Sequence, residues 1–296
     1  MIKISIEEDC GKLNSFLKKK YPSLTLTHLQ KLCRVGEIRI NGKRVEYKAP
    51  LCAGDELKLP PFIVEYEAPR KISRFDTAQL DLILENILYQ DSEIVVINKP
   101  EGLASQGGSK VLISADRLIN EALGGEFRLV HRLDSETSGA LVFAKNYNAA
   151  KEIADMFGRR EVEKTYVALC LGNTERKSGT ITRPIENKEG KAQKAETQYR
   201  VLDEAFGLFS IVEFKPLTGR MHQIRIHAKS IGMPIVGDAK YSLRGAMEKL
   251  EERLGFKLPR RMFLHAYKIA IPEKKIITAP MPKDFSAVMK PLGLAL

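Results

Sequence analysis

Three short stretches of the chain concentrate side chains able to do chemistry. The first runs from Leu129 to Val142, where His131, Arg132, Asp134, Ser135, Glu136, Thr137 and Ser138 stand between two hydrophobic segments. A polar connection tied at both ends to apolar strands presents an acid, a guanidinium and an imidazole rigidly. The same residues also suit a turn in which Asp and Ser cap their own backbone, and spacing alone does not separate the two. The second stretch, Lys164-Thr165-Tyr166, enters a strand and could offer a flat ring to a base or a hydroxyl to a proton transfer, although strand tyrosines commonly serve the core. The third, Leu217 to His227, turns at Thr218-Gly219 into a donor-rich helix holding Arg220, His222, Gln223 and Arg225. His222 and Arg225, three positions apart, lie about 60° apart around a helix axis and can face one site. Taken alone, this stretch reads as a basic surface helix.

Together the three suggest one buried carboxylate, Asp134, an arginine, Arg225, that keeps it ionised as a nucleophile or base, and an aromatic ring, Tyr166. A glycosidase pair of Asp134 and Glu136 is the weaker enzymatic reading. Two positions apart on a strand, these carboxylates would lie on one side at about 6 to 7 Å. A metal site is not expected, because His222 and His227, five helical steps apart, diverge by about 140° instead of sharing a face. Cys10, Cys33, Cys52 and Cys170 form no C-x-x-C pair and read as reduced structural thiols. The sequence carries no G-x-G-x-x-G fingerprint or P-loop either.

The elements that must position these residues begin near Leu80. Apolar or alternating segments predict strands over 83–89, 94–98, 140–145, 164–171, 178–183, 197–202 and 209–215, and helical spacing predicts helices over 114–122, 147–157, 222–230 and 243–254. Successive strands without an intervening helix argue for antiparallel pairing and against a doubly wound nucleotide fold. Ahead of this domain, two short helices over 11–20 and 25–34, a strand over 37–40, a turn at Asn41-Gly42 and a further strand after Gly54 describe a small module of residues 1–62. The segment 63–80, charged and without clear periodicity, reads as a linker to a domain of residues 81–296. The expected class is α+β, a small α/β module followed by a mixed, largely antiparallel-sheet domain.

The chain has 296 residues, 44% hydrophobic and 29% charged, with a formal net charge of +11. These proportions allow a substantial core and exclude general disorder, while the basic excess points to a polyanion, nucleic acid first. Charge is uneven: between Lys12 and Lys48 ten basic residues stand against Glu37 and Glu46. Lys12, Lys18, Lys19, Lys31, Arg34, Arg39, Lys43 and Arg44 are the candidate phosphate contacts. No apolar run reaches the length of a membrane span, and Glu7, Glu8 and Asp9 interrupt any signal-peptide core, so a cytoplasmic protein without a membrane partner is expected.

The stretch R-x-G-x-I-x-I-N-G from Arg34 to Gly42, followed by Ala53-Gly54-Asp55-Glu56-Leu57, resembles the S4 RNA-binding domain. His131 to Gly139 (HRLDSETSG), Lys164 to Leu169 (KTYVAL) and Gly219 to His227 (GRMHQIRIH) closely resemble three motifs of the RluA family of pseudouridine synthases. Asn98-Lys99-Pro100-x-Gly102, Gly232-x-Pro234-Ile235-x-Gly237-Asp238 and Phe263-Leu264-His265-Ala266 extend the resemblance over residues 80 to 290. Within the family the chain is similar to the RluC and RluD type, RluC more closely. One departure is Gln106, which stands before Gly107-Gly108 where a histidine is common.

The resemblance implies an RNA pseudouridine synthase acting on large-subunit (23S) ribosomal RNA, naked or within a pre-ribosomal particle, with no cofactor; a monomer is the default expectation. Asp134 would attack C1′ of the uridine or abstract a ribose proton, Arg225 would fix its charge and aim, and Tyr166 would stack on the uracil. Arg132 would enter the RNA stack where the uridine leaves it. His131, Arg220, His222 and Gln223 complete the implied substrate contacts. The rival from another class is a catalytically silent S4-type RNA-binding or ribosome-assembly protein; a nucleic-acid N-glycosidase ranks below it.

Overall fold

The computed structural model describes residues 2–21, 24, 26–64, 75–108, 111, 113–187, 189–242, 247–248, 251–252 and 255–296. The chain forms two compact units, residues 1–74 and 75–296.

The first unit contains β1 (Ile2–Ser5), β2 (Gly11–Lys12), α1 (Leu13–Lys20), α2 (Leu26–Val35), β3 (Arg39–Ile40), β4 (Lys43–Arg44), β5 (Pro50–Leu51), β6 (Glu56–Leu59) and α3 (Pro61–Val64). Helical spacing puts Leu13 and Leu17 of α1 and Leu29, Leu32 and Cys33 of α2 on inward faces, where they pack with Ile38, Leu51, Leu57 and Leu59. The sheet runs β1-β6-β3-β4. Asn41 and Gly42, both at positive φ, make the tight turn between β3 and β4, and the Asn41 side chain ties that turn to Asp55 and Glu56. Lys12, Lys18, Lys19, Lys31, Arg34, Lys43 and Arg44 are left exposed. Arg39 differs: half-buried, it donates to the carbonyls of Gly36 at 2.9 Å and Gly42 at 3.3 Å and so braces the hairpin.

The second unit contains α4 (Thr77–Leu84), β7 (Ile87–Gln90), β8 (Ile94–Lys99), α5 (Ala115–Leu123), β9 (Arg128–Leu129), β10 (Ser138–Ala144), α6 (Tyr147–Arg159) and β11 (Glu163–Leu171). After these come β12 (Ser178–Ile181), β13 (Ile185–Glu186), β14 (Ala192–Gln193), β15 (Thr197–Ala205), β16 (Phe209–Pro216), α7 (Gln223–Ser230), β17 (Leu264–Ala270), β18 (Ile277–Thr278) and α8 (Lys283–Met289). The central sheet follows the order β12-β15-β16-β11-β17-β10-β8-β7. Its pairings are antiparallel except β10 with β17, so the expected mixed, largely antiparallel class holds.

Some boundaries differ from the sequence reading. Asp76 and Gln79 form a capping box that opens α4, so part of the expected linker is helical. The strand expected over 83–89 is the end of α4 followed by β7, because continuous apolar residues carry no period that separates the two states. Strand β17 and helix α8 lie outside the expected elements. The expected helix over 243–254 falls largely outside the described residues, as does most of the linker.

Two details of the sheet aim the chemistry. At Gly139, φ is 114° and a Cβ would overlap the Ala266 backbone, so only glycine lets β10 start this close to β17. Between Thr165 and Tyr166 the pairing of β11 with β17 shifts register, a bulge that re-aims the side chain at Tyr166.

Candidate active site

Asp134 sits in the loop between β9 and β10, and its two neighbours are pinned by hydrogen bonds. Ser105 Oγ donates to the Leu133 carbonyl at 2.7 Å and accepts from the Leu133 N–H at 3.0 Å. The Ser135 carbonyl accepts from the Gly102 N–H at 2.8 Å and from the Lys99 ammonium at 3.0 Å. Lys99 is fully buried at the end of β8 and also donates to the carbonyls of Pro100 and Leu103. Burial pushes this ammonium down to about 7, against the opposing pull of Glu101 and Asp134. The Asp134 backbone is therefore held from both sides while its side chain stays 31% exposed.

Arg225 projects from α7 and is 3% exposed. Its Nη1 lies 3.3 Å from Asp134 Oδ2 and 3.0 Å from Glu136 Oε2. Its shorter contacts go elsewhere: Nε and Nη2 each donate at 2.7 Å to the two oxygens of Asp238, a bidentate pair. Burial would raise the Asp238 carboxyl, but Arg225 and the N–H groups of Tyr241 and Lys240 outweigh it and hold the acid below its ordinary value. Burial likewise opposes the charge of Arg225, and Asp238, Glu136 and Asp134 outweigh it, keeping the guanidinium firmly protonated. Asp238 follows Gly237, where φ is 76° and a Cβ would overlap the Arg261 carbonyl.

The expected pairing of one buried acid with one arginine is corrected here. The fully buried carboxylate is Asp238, whereas Asp134 is part-exposed and shares one guanidinium nitrogen with Glu136. Residues 131–137 form a loop, not a strand, so the strand geometry offered for a glycosidase pair does not apply.

An open cavity of about 470 Å³, within the roughly 300–1,000 Å³ usual for ligand sites, is lined by Asp134, Tyr166 and Arg225 together with His131, Arg132, Arg220, His222 and Gln223. The three motifs thus converge on one place, and Gln106 also reaches its wall. Tyr166 is 8% exposed, and burial, reinforced by Asp134, pushes its phenol well above the usual range, so it stays neutral. Arg132 is exposed at the mouth.

The remaining residues have more specific places. His131 Nε2 accepts the Val142 N–H at 3.1 Å and its ring stacks on Phe157. Burial, with Lys164 nearby, pushes His131 down to about 3, so this is a neutral wall and not a proton carrier at neutral pH. His222 precedes α7 with φ at 54° and lies outside the helical turn expected for it. It still faces the site, with Nε2 3.9 Å from Asp134 and Nδ1 2.9 Å from the Tyr241 hydroxyl. Burial pushes His222 down, against the pull of Asp134. Gln223 is 4% exposed, and its amide is committed to Thr218, Arg220, Glu196 and Thr197. It shapes the cavity wall by fixing the 217–222 turn and offers no spare donor. Arg220 is exposed, with Nε on the Lys194 carbonyl.

Sequence reasoning missed Lys99, Ser105, Glu136 as a partner of Arg225, and Asp238. The Asn98-Lys99-Pro100 and Gly237-Asp238 motifs were the available signals, but neither says which group meets which.

Comparison with known proteins identifies the family of both units. Residues 93–230 match the family described as RNA pseudouridylate synthase, and residues 12–57 match the S4 domain. The chain is 36% identical to a protein of Rickettsia bellii (strain RML369-C) named ribosomal large subunit pseudouridine synthase C, over 94% of this chain and 97% of the relative. A protein of the same name from Vibrio vulnificus (strain CMCP6) is 31% identical over 98% of this chain and 96% of its own length. Among solved structures, human RNA pseudouridylate synthase domain containing 4 superimposes with a TM-score of 0.65 at 29% identity, covering 74% of this chain and 97% of that one.

Proposed function

The chain belongs to the RNA pseudouridylate synthase family, and from that premise we propose that it isomerises uridines of large-subunit (23S) ribosomal RNA to pseudouridine, with Asp134 as the reacting carboxylate. The observation that carries this reading is the convergence of a part-exposed Asp134, a buried Arg225 at 3.3 Å and the Tyr166 ring on one open cavity.

The reaction breaks the bond between N1 and C1′, turns the uracil, forms a bond between C5 and C1′, releases the C5 proton and leaves N1 to take up a proton in its place. Substrate and product are isomers, so the chemistry balances without another reactant. Attack on C1′ and abstraction of a ribose proton both require an anionic oxygen aimed at the sugar. The pinned carbonyls of Leu133 and Ser135 and the guanidinium of Arg225 supply the aim. Tyr166, neutral and at the cavity wall, offers its ring to the uracil face. The target must leave its stack first, at a cost of a few kcal/mol, and Arg132, exposed on the cavity lining, would fill the gap. The N-terminal unit, with the S4 match and exposed cations, adds salt-dependent phosphate affinity. The partner is large-subunit RNA, free or in an assembling particle, and the enzyme acts as a cytoplasmic monomer. Among the described residues, no helix is long and apolar enough to cross a membrane.

The test is release of tritium from RNA labelled at uracil C5, run on large-subunit, small-subunit and transfer RNA transcripts. The wild type is expected to release label from large-subunit RNA with no free uracil. Binding without release would favour a silent RNA-binding protein, and free uracil with an abasic site would indicate a glycosidase.

A further inference from the structure

A second cavity, of about 520 Å³, opens beside the first and shares with it Phe157, Lys164 and Arg220 among others. Its charged lining is Arg160, Lys164, Lys215 and Arg220 against Glu163, a basic groove running on from the acidic centre.

Its cations are held differently from their neighbours. Arg159, adjacent to the groove in sequence, is clamped by Glu161, and Arg200 on β15 is paired with Glu213. Among the described residues, Arg160, Lys164 and Lys215 have no ion pair. Lys164 is the sharpest case, because it is half-buried at the wall between the two cavities. Its ammonium lies 5.7 Å from the Phe157 ring, with His131 also near, and no carboxylate pairs with it among the described residues. Burial pushes its pKa down with no carboxylate opposing, the condition of a cation that lacks a counter-charge. Arg160 adds a backbone observation. It caps α6 at φ 63°, the left-handed conformation in which glycine is the usual helix terminator. An arginine there bears strain that a glycine would not, and strain of this kind points to a use for the side chain.

We infer that this groove is a subsite for the RNA strand flanking the target uridine, with Lys164, Arg160 and Lys215 receiving its phosphodiester oxygens. The assignment rests on the function proposed above and extends it from the flipped nucleoside to its neighbours. A phosphate at Lys164 supplies the missing counter-charge at the point where the strand leaves the catalytic cavity. Lys215, at the end of β16, and Arg160, at the end of α6, continue the path. A groove of four cations and one acid suits a single strand and reads no base.

The test uses the full chain and C5-tritiated large-subunit RNA, with kcat/KM followed across salt for the wild type, Arg160→Gly, Lys164→Gln, Lys215→Gln and the triple variant. Each single change is expected to lower kcat/KM about tenfold through KM with kcat held, and to flatten the slope of log kcat/KM against log salt by roughly 0.7. Arg160→Gly is expected to do this while raising Tm, which separates lost binding from lost folding. Lys151→Gln, on the exposed face of α6 outside both cavities, serves as the charge control and is expected to leave the slope unchanged. An unchanged slope in the triple variant, a loss confined to kcat, or an equal effect of Lys151→Gln overturns the assignment. A wild type that releases no tritium instead overturns the functional reading beneath it.

Discussion

The two units use charge in opposite ways. In residues 1–74 the basic side chains are exposed on short helices and a hairpin, and Lys12, Lys18, Lys19, Lys31, Lys43 and Arg44 have no ion pair among the described residues. In residues 75–296 the decisive charges are interior: Arg225 is held by Asp238 and reaches Asp134 and Glu136, while Lys99 is clasped by three carbonyls. Exposed cations act additively and tolerate loss, because each faces water when its partner is absent. Buried ones act as a closed set, since removing one member strands another in a place water does not reach.

That contrast predicts the largest single effect at a residue placed away from the reacting atoms. Asp238→Ala leaves Arg225 buried without its bidentate partner and is expected to destabilise the protein by about 3–5 kcal/mol, with activity falling too. A denaturant titration showing a loss no larger than that of a surface substitution would break the contrast.

Lys99→Met comes next, removing the donor shared by the carbonyls of Pro100, Leu103 and Ser135, with an expected loss of about 2–3 kcal/mol. It also has a pH signature. With the folded ammonium pushed down to about 7 and the unfolded one near 10.4, the unfolded state binds the extra proton between those values. Stability therefore rises with pH across that window. The wild-type slope should exceed that of Lys99→Met by about 1 kcal/mol per pH unit, and parallel curves at pH 7 to 9 would contradict the buried-ammonium account.

At Tyr166 the expected effects fall on catalysis. Truncation to Ala should lower kcat/KM about 10- to 100-fold by loss of the stacking ring, and Tyr166→Phe should lose less. Equal losses would transfer the role from ring to hydroxyl. The smallest effects belong to the N-terminal unit. Single changes at Lys18, Lys31 or Lys43 to Ala should weaken RNA binding a few-fold, flatten the salt slope by roughly 0.7–0.9 and leave stability within about 0.5 kcal/mol. Arg39→Ala should depart from that pattern by also lowering Tm, because its guanidinium braces the hairpin.

What could be read ahead of the structure follows the same division. The exposed basic face was legible by counting, since surface charge needs no tertiary partner to be recognised. Helices α1, α2, α5 and α6 were legible because their apolar residues repeat at helical spacing beneath a polar face. Asp134, Tyr166 and Arg225 stand out as polar residues beside apolar segments, and their chemistry suggests a shared site that the family resemblance then supports, but residues 91 positions apart carry no sequence signal of which atoms meet. Asp238 stayed unread for that reason: its partner is fixed by the return of the chain after α7, not by a local pattern. His222 was placed on the helix, although its left-handed backbone sets it just ahead of the first turn. Lys99 falls just past the strand expected over 94–98, within the Asn98-Lys99-Pro100 motif, and only the fold turns three carbonyls toward it.

In the function proposed above, the Asp134 carboxylate, aimed by Arg225 and a pinned loop, performs the isomerisation. Single-turnover pseudouridine formation by Asp134→Asn on large-subunit RNA, with RNA binding measured alongside, tests it most directly. The rate is expected to fall by about 10³-fold or more while affinity changes little, because the substitution keeps the shape and removes the anion. A variant that forms pseudouridine within tenfold of the wild-type rate would place the chemistry on another residue.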